Sequence, residues 1–252
     1  MHCDAAPASP ESLSVLEFPD GTLVARWLCT PERVTDLALG WLFGEGLIDG
    51  PADVARFETI SPGRERVWLR DEEQVRDTLS RRASRTGPAS SAVLAALDSS
   101  SELPRHGGTE ASSPSRDPVL EATLARPAHL RELFGEMFER TYLKKAHGGG
   151  LHTGAHVIDG ILRDVVEDVS RSAVVDKLVG ASLKEASLGP SSLFLLSGRI
   201  SATIASKLAR AGVGAAATIS VPTSLAVEIA AREGISILGR ARRETPYRYG
   251  AV

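Results

Sequence analysis

The chain has 252 residues, 42% of them hydrophobic, a formal net charge of −3 and a pI near 6.1. That size supports one large domain or two modest ones with a packed core, while the slightly acidic balance gives no electrostatic basis for holding nucleic acid. Two cysteines exclude a disulfide framework or a four-thiolate zinc site, no run approaches the ~20 apolar residues of a membrane span, and the opening MHCDAAPASPES lacks a signal peptide's apolar core, so a cytoplasmic protein with no membrane partner is expected.

Residues 1–12 are polar, rich in Ala, Ser and Pro, and carry no hydrophobic period, which reads as a disordered lead. Residues 13–18 and 23–29 flank Pro19-Asp20-Gly21, a turn-forming cluster, and predict a hairpin. Thr30-Pro31 offers an N-cap and a residue suited to the first helical position, so a helix is expected to begin there and run through Leu37, Trp41 and Phe43 towards Gly44. The segment LALGWLFGEGLI is apolar on nearly every side, as in a helix buried all round, and its glycines point to close packing followed by a stop. Alternating apolar residues over 53–70, broken by Ser61-Pro62-Gly63, predict another hairpin and complete an N-terminal α+β unit over 13–98. Within it, RDEEQVRDTLSRRASR and GPASSAVLAAL read as two short helices around a Gly-Pro break. Residues 99–118 have few apolar side chains and many Ser, Pro and Gly, so 99–127 is expected to be a mobile linker or loop. Leu130, Leu133, Phe134, Met137 and Phe138 recur at three- and four-residue spacing and predict an amphipathic helix over 128–142, its methionine in the core.

The densest chemistry lies in GGGLHTGAHVIDGILRDVVEDVSRSAVVDKLVG, residues 148–180. Three consecutive glycines permit positive φ or close approach of backbone to a ligand, and His152 follows directly. Asp159-Gly160 between apolar pairs is a hairpin signal, because both turn residues must tolerate positive φ. The second arm ends in Glu167-Asp168; Arg171 and a helical pattern carrying Asp176 and Lys177 follow, with Gly180 placed as a stop. A carboxylate pair, an arginine and a lysine thus gather round one strand-to-helix corner. A histidine beside a carboxylate titrates near pH 7, which makes His152 with Asp168 or Glu167 a candidate acid–base set.

The last third reads as strand 193–196, helix 201–210, strand 215–221, helix 223–232 and strand 235–238. Strands joined through helices run parallel, so the two strand-to-helix corners, Ser197-Gly198-Arg199-Ile200-Ser201 and Pro222-Thr223-Ser224, lie on one sheet edge. Each sets a helix N-terminus beside hydroxyls, and the first adds a guanidinium able to grip a phosphate through two N–H groups. Taken singly, Ser201 and Thr223 read as plain helix caps; two such corners with an arginine point to a small anionic, phosphorylated ligand.

Thr30-Pro31 with DLALGWLFGEGLI, then Gly149-Gly150-Leu151-His152, EDVSRSAVVDKLVG, SGRIS, and AG with a spaced PTSLAVE follow one another in order. Together they resemble the FdhD family of formate dehydrogenase accessory sulfurtransferases, whose corresponding segments include TP…ELALGFLxxEGI, GGxH and EDVGRHNAxDKxxG. The resemblance implies an α/β protein with a cytidine-deaminase-like α/β/α domain over 128–252 behind the smaller N-terminal α+β domain. It further implies a pocket for molybdopterin guanine dinucleotide or a GDP-like ligand. In that pocket His152, Arg171, Lys177, Arg199 and Thr223 hold phosphates, Asp168 or Asp176 reads a base or ribose, and Gly149, Gly150, Ser197, Gly198, Ser201, Pro222 and Ser224 complete the cradle. Formate dehydrogenase and a cysteine desulfurase are the partners implied, and a homodimer is a further expectation.

The departures concern the chemistry. The family carries sulfur as a persulfide on a CxxC-type loop, but residues 82–96 contain no cysteine, and Gly87-Pro88-Ala89-Ser90-Ser91 stands where the thiols belong. Serine cannot substitute, because a persulfide needs a polarizable sulfur that ionises near neutral pH. Cys3 lies in the lead and Cys29 at the end of an apolar strand, where an inert thiol is expected. The family's Gly and His-Asn are Ser170 and Ser172-Ala173 here. Neither HxE nor PCxxC occurs, so no metal site is expected. The reading is an FdhD-like nucleotide-binding protein that does not carry sulfur; the alternative is a repurposed enzyme using His152 and a carboxylate on a small substrate.

Overall fold

The structure is a computed structural model that describes residues 8–83 and 117–250. Its first sheet holds β1 (Ser12–Glu17), β2 (Leu23–Cys29), β3 (Val54–Ser61) and β4 (Arg64–Leu69) in the order β2-β1-β4-β3. Both expected hairpins form, β1 with β2 and β3 with β4, and β1 pairs β4 in parallel to join them. Gly21 and Gly63 turn the chain with φ of 83° and 74°. Two helices accompany this sheet, α1 (Val34–Gly44) and α2 (Glu72–Ala83). The second helix expected in this region, and the Gly87–Ser91 stretch, lie outside the described residues.

Helix α1 does not begin at Thr30-Pro31 as the cap signal suggests. It begins at Val34, with Arg33 at the N-cap position in left-handed geometry (φ 56°) and no side-chain cap. Thr30 is engaged elsewhere: its amide donates to Asp168, its hydroxyl accepts from the Val169 amide, and its carbonyl accepts from Lys177. The glycines of α1 do mark close packing. A Cβ on Gly40 would sit 1.8 Å from the Asp176 carbonyl oxygen, and one on Gly180 would sit 2.0 Å from that of Asp36.

The expected linker ends early. Helix α3 (Pro118–Leu124) occupies part of it, because Asp117 accepts from the Val119 and Leu120 amides and Pro118 fits the first turn. Residues 99–116 lie outside the described residues. Helices α4 (Pro127–Glu139) and α5 (Leu143–Ala146) follow.

The second sheet has six strands in the order β10-β9-β8-β7-β5-β6: β5 (His152–Ile158), β6 (Ile161–Asp168), β7 (Ser192–Leu196), β8 (Ala215–Thr218), β9 (Ser236–Gly239) and β10 (Tyr247–Gly250). Helices α6 (Arg171–Lys184), α7 (Ala202–Arg210) and α8 (Ser224–Arg232) connect them, and β7, β8 and β9 are parallel as the alternating pattern requires. Asp159 and Gly160 make the β5–β6 turn at φ 54° and 72°. The antiparallel edge strand β10 is absent from the sequence reading. On one face Leu120, Leu130, Phe134 and Met137 pack against Ala155, Val157 and Leu195; on the other, α1, α6, α7 and α8 bury a larger cluster shared with the first sheet. No helix among the described residues is long and apolar enough to cross a membrane.

Candidate ligand site at the strand edge

Strands β6 and β7 both pair antiparallel with β5, so they run the same way, as does β8. The N-termini of α6, α7 and α8 therefore gather at one sheet edge, and β5 begins there with His152. Backbone bonds lock the corners together: Ser197 exchanges with Thr153 (N to O, 2.9 Å; Ser197 Oγ accepts from Thr153 N, 2.8 Å), and the Thr223 amide donates to Ile200 O at 2.9 Å. Thr218 Oγ1 donates to Gly198 O at 2.6 Å and accepts from the Ser220 amide, ending β8 at Thr218, short of the 221 expected. Thr223 caps α8 by accepting from Ala226 N, whereas Ser201 makes no side-chain cap to α7.

The glycine loop takes the conformation its composition permits, with φ of 68°, 128° and 75° at Gly148, Gly149 and Gly150. Ser9 ties the loop itself, and Glu167 ties the short helix α5 that precedes it. Ser9 donates to Gly149 O at 2.7 Å, so part of the expected disordered lead is ordered against the loop, and Ser12 already belongs to β1; residues 1–7, with Cys3, lie outside the described residues. Glu167 accepts from the Tyr142, Leu143 and Lys144 amides at 2.7–2.8 Å. This buried carboxylate is spent on the backbone.

His152 lines a small recess with Thr153, Arg171, Val174, Leu196, Gly198, Arg199 and Ile204, enclosing about 10 Å³, room for about one water molecule. Burial lowers the pKa of the His152 imidazole, as do Arg171 and Lys144, against a smaller opposing effect of Asp168; the ring is neutral at pH 7. The stem of Arg171 lies so close over Gly198 that a Cβ there would be 2.8 Å from its Cγ and Cδ and 3.2 Å from His152 Nδ1. Thr153 Oγ1 is buried with no hydrogen-bond partner. The recess opens between the β6–α6 and β7–α7 corners, not between the Ser197 and Pro222 corners; Pro222 and Thr223 pair with Ile200 beside its second wall, and Ser224, which opens α8, does not line it.

Three residues read as ligand contacts are instead buried ion pairs. Asp168, fully buried, holds Lys177 at 2.6 Å and accepts from the Thr30 and Ser170 amides, so its oxygens are filled and it makes no hydrogen bond to His152, its cross-strand neighbour. Lys177, 1% exposed, gives its remaining reach to Thr30 O. Asp176 holds Lys207, whose ammonium also donates to Ser172, and burial pushes its carboxyl up to about 6 even so. None of the three lines the recess, and the acid–base set does not assemble. Thr153, Val174, Leu196 and Ile204 are lining residues that sequence reading misses; only their positions beside His152, Arg171 and Ser197–Ser201 signal them. Among the described residues no cluster of His, Cys, Asp and Glu forms that could hold a metal ion.

Cys29 is 0% exposed, its thiol donates to Ser14 Oγ at 3.2 Å, and burial pushes its pKa up. It is an inert core thiol.

The model of the FdhD/NarQ family matches residues 15–251. Curated relatives include the "Sulfur carrier protein FdhD" of Anaeromyxobacter sp. (strain K), 33% identical over 247 residues that cover 89% of this chain and 80% of that protein. The protein of the same description from Mycolicibacterium paratuberculosis is 30% identical over 267 residues, covering 95% and 90%. Among solved structures, a crystal structure described as that of "a putative formate dehydrogenase accessory protein" from Desulfotalea psychrophila shares the fold, with a TM-score of 0.69 over 97% of this chain and 88% of that one at 18% identity. The motif order, the sheet topology and a match that spans nearly the whole chain agree: the chain belongs to the FdhD/NarQ family.

Proposed function

We propose that this protein is an accessory factor of the FdhD type that holds a phosphate-bearing ligand, molybdopterin guanine dinucleotide or a GDP-like nucleotide, at the strand edge, and does not itself relay sulfur. One observation carries the reading. Arg171 and Arg199 come from two different corners, both are exposed, and neither forms an ion pair among the described residues, whereas Arg33, Arg64, Arg66 and Arg248 each hold a carboxylate. Unpaired guanidinium groups beside helix N-termini suit phosphate. Neutral His152 adds a hydrogen-bonding group without charge.

These residues fit the anionic part of such a ligand: Arg171 and Arg199 would hold its phosphates at the mouth of the recess, whose floor admits only one water-sized group. The cytidine-deaminase-like reading of 128–252 belongs to this proposal as its frame, a sheet with helices on both faces whose strand ends present the ligand. The client would be a formate dehydrogenase, as the name given to the Desulfotalea psychrophila protein suggests. The curated relatives are named sulfur carriers; here the sole described thiol is sealed in the core. The acid–base alternative lacks support, since both carboxylates are occupied.

Calorimetry with GDP tests the ligand: wild type should bind, and Arg171→Ala and Arg199→Ala should each weaken binding by about tenfold or more, the value of a charge-assisted contact. No heat from wild type, or unchanged affinity in both variants, removes the site. For sulfur, incubation with a cysteine desulfurase and labelled cysteine should leave no persulfide on the protein; stoichiometric label lost in Cys3→Ala or Cys29→Ala would restore a relay.

A further inference from the structure

On the α4 side of the sheet, an open groove of about 510 Å³ is lined by Gly135, Phe138, Thr141, Lys144, Lys145 and Arg242. Its wall carries three cations from two distant stretches of chain and no carboxylate. The Lys144 ammonium and the Arg242 guanidinium stand 5.1 and 5.9 Å from the centre of the Phe138 ring, and Lys145 Nζ donates to Glu139 O. None of the three forms an ion pair among the described residues. Among nearby acids, Glu136 holds Arg140, and Glu139 meets Lys145 through its backbone carbonyl.

Both arms are fixed in place. The Lys144 amide is bound by Glu167, and Arg242 follows Ala241, which is fully buried and donates its amide to Thr218 O at 2.9 Å. Three like charges on one wall repel one another; the negative face of Phe138 offsets part of this for two of them, and a multiply charged anion would offset the rest. A guanidinium fork with two ammonium groups is the donor set that recognises phosphate, and the volume is that of a small-molecule site. A Cβ at Gly135 would meet nothing within 4 Å, so the floor is open.

We propose that this groove binds a polyphosphate or pyrophosphate group of a small molecule, as a site separate from the Arg171–Arg199 recess. The two share no lining residue. The test titrates the intact protein with inorganic pyrophosphate, with GDP and with an oligo-glutamate peptide, using wild type, the double variant Lys144→Gln/Arg242→Gln and the double variant Arg171→Ala/Arg199→Ala. Pyrophosphate should bind wild type and the recess variant alike, and weaken by about tenfold or more in the groove variant, with affinity falling as salt rises. GDP binding retained in the recess variant would identify the phosphate as nucleotide-borne; GDP binding lost there while pyrophosphate binding is kept would identify it as free pyrophosphate or another carrier, and both support the site. Thermal unfolding keeps the comparison sound, because the replaced side chains lie at the surface. Wild type that gives no heat with pyrophosphate, equal affinity in the groove variant, or binding of the peptide alone would overturn the proposal, the last in favour of an acidic protein partner. Loss of pyrophosphate binding in the recess variant only would overturn it while sparing the proposed function.

Discussion

Replacing Gly40 with alanine probes the joint between the two sheets. Helices α1 and α6 cross at Gly40 and Gly180, where an added Cβ would lie 1.8 Å from the Asp176 carbonyl oxygen. The obstacle is backbone, so no side chain can rotate aside, and the helices must part by about 1 Å or more to reach ordinary contact. Overpacking in a core costs roughly 1–3 kcal/mol and sometimes more, while alanine in a helix gains about 1 kcal/mol over glycine. Here separation also stretches the Lys177–Thr30 bond and the apolar seam around it, so the upper end applies: a net loss of about 2 kcal/mol after the helix gain, or roughly 4–8 °C in Tm for a chain of this size. Gly135→Ala is the matched control, a helical position open on every side, and should gain up to about 1 kcal/mol. Urea titration with scanning calorimetry reads both. A Gly40→Ala protein as stable as wild type would show that α1 and α6 do not cross this closely.

Lys177→Met leaves the Asp168 carboxylate buried without its cation and should cost about 3–5 kcal/mol in urea titration; a loss under about 1 kcal/mol would mean that water reaches Asp168. Burial pushes the His156 ring down to about 4, below its ordinary value near 6.5, so its contribution to stability is complete above 6.5 and is lost as pH falls towards 4. Asp176, raised to about 6, acts in the opposite sense, losing stability as pH rises from about 4 to 6. His156→Gln should therefore lessen the acid-side loss of wild type between pH 6.5 and 4, and unfolding midpoints that fall as steeply as before would refute the assignment. Glu167→Ala should raise hydrogen exchange across 142–150 with little change in α6, whereas unaltered protection would show that the glycine loop does not depend on that carboxylate.

The parallel run β7–β9 is legible because its strands are short apolar stretches that β5 and β10 bury between neighbours, and because each βα corner carries a turn or cap residue. The hairpins are legible from Asp20-Gly21, Gly63 and Asp159-Gly160. Strand β10 is not, since Tyr247 and Arg248 are exposed at the sheet edge and leave no apolar period. Helix α3 carries its signal in Asp117-Pro118, which a Ser- and Pro-rich context hides. The site residues divide in the same way. Exposure of Arg171 and Arg199 follows from their corners, but the fate of Asp168, Asp176 and Lys177 turns on partners far along the chain: Lys177 reaches Thr30 across 147 positions and Asp176 reaches Lys207 across 31. A charged residue is seldom fully buried, so the sequence prior puts all three in the pocket and the packing takes them out.

The motif residues that look most chemical thus hold the frame, and the unpaired arginines stand at the recess proposed as the ligand site. Asp168 ties the end of β6 to Thr30, just past β2 of the first sheet, and Lys177 bonds both. Asp176 and Lys207 join α6 to α7, and Arg210 of α7 donates to the Phe43 and Ile48 carbonyls at the end of α1. Buried pairs of this kind add little net stability over apolar substitutes, but each has one satisfied geometry. Because Arg171 opens the same helix that carries Asp176 and Lys177, and Arg199 precedes the helix that carries Lys207 and Arg210, those pairs set the separation of the two guanidinium groups. On the proposed reading, the Thr30-Pro31 segment, remote from the recess in sequence and absent from its lining, would act on the ligand through that spacing. A substitution at Thr30 should consequently alter nucleotide affinity without touching nucleotide: Thr30→Ala keeps the backbone bonds and removes only the hydroxyl that accepts from Val169, so GDP affinity should fall less than in Arg199→Ala and stability by about 1 kcal/mol. Equal losses of affinity in the two variants would mean that Thr30 reaches the ligand directly, and no change in either quantity would mean that the corner is held without it.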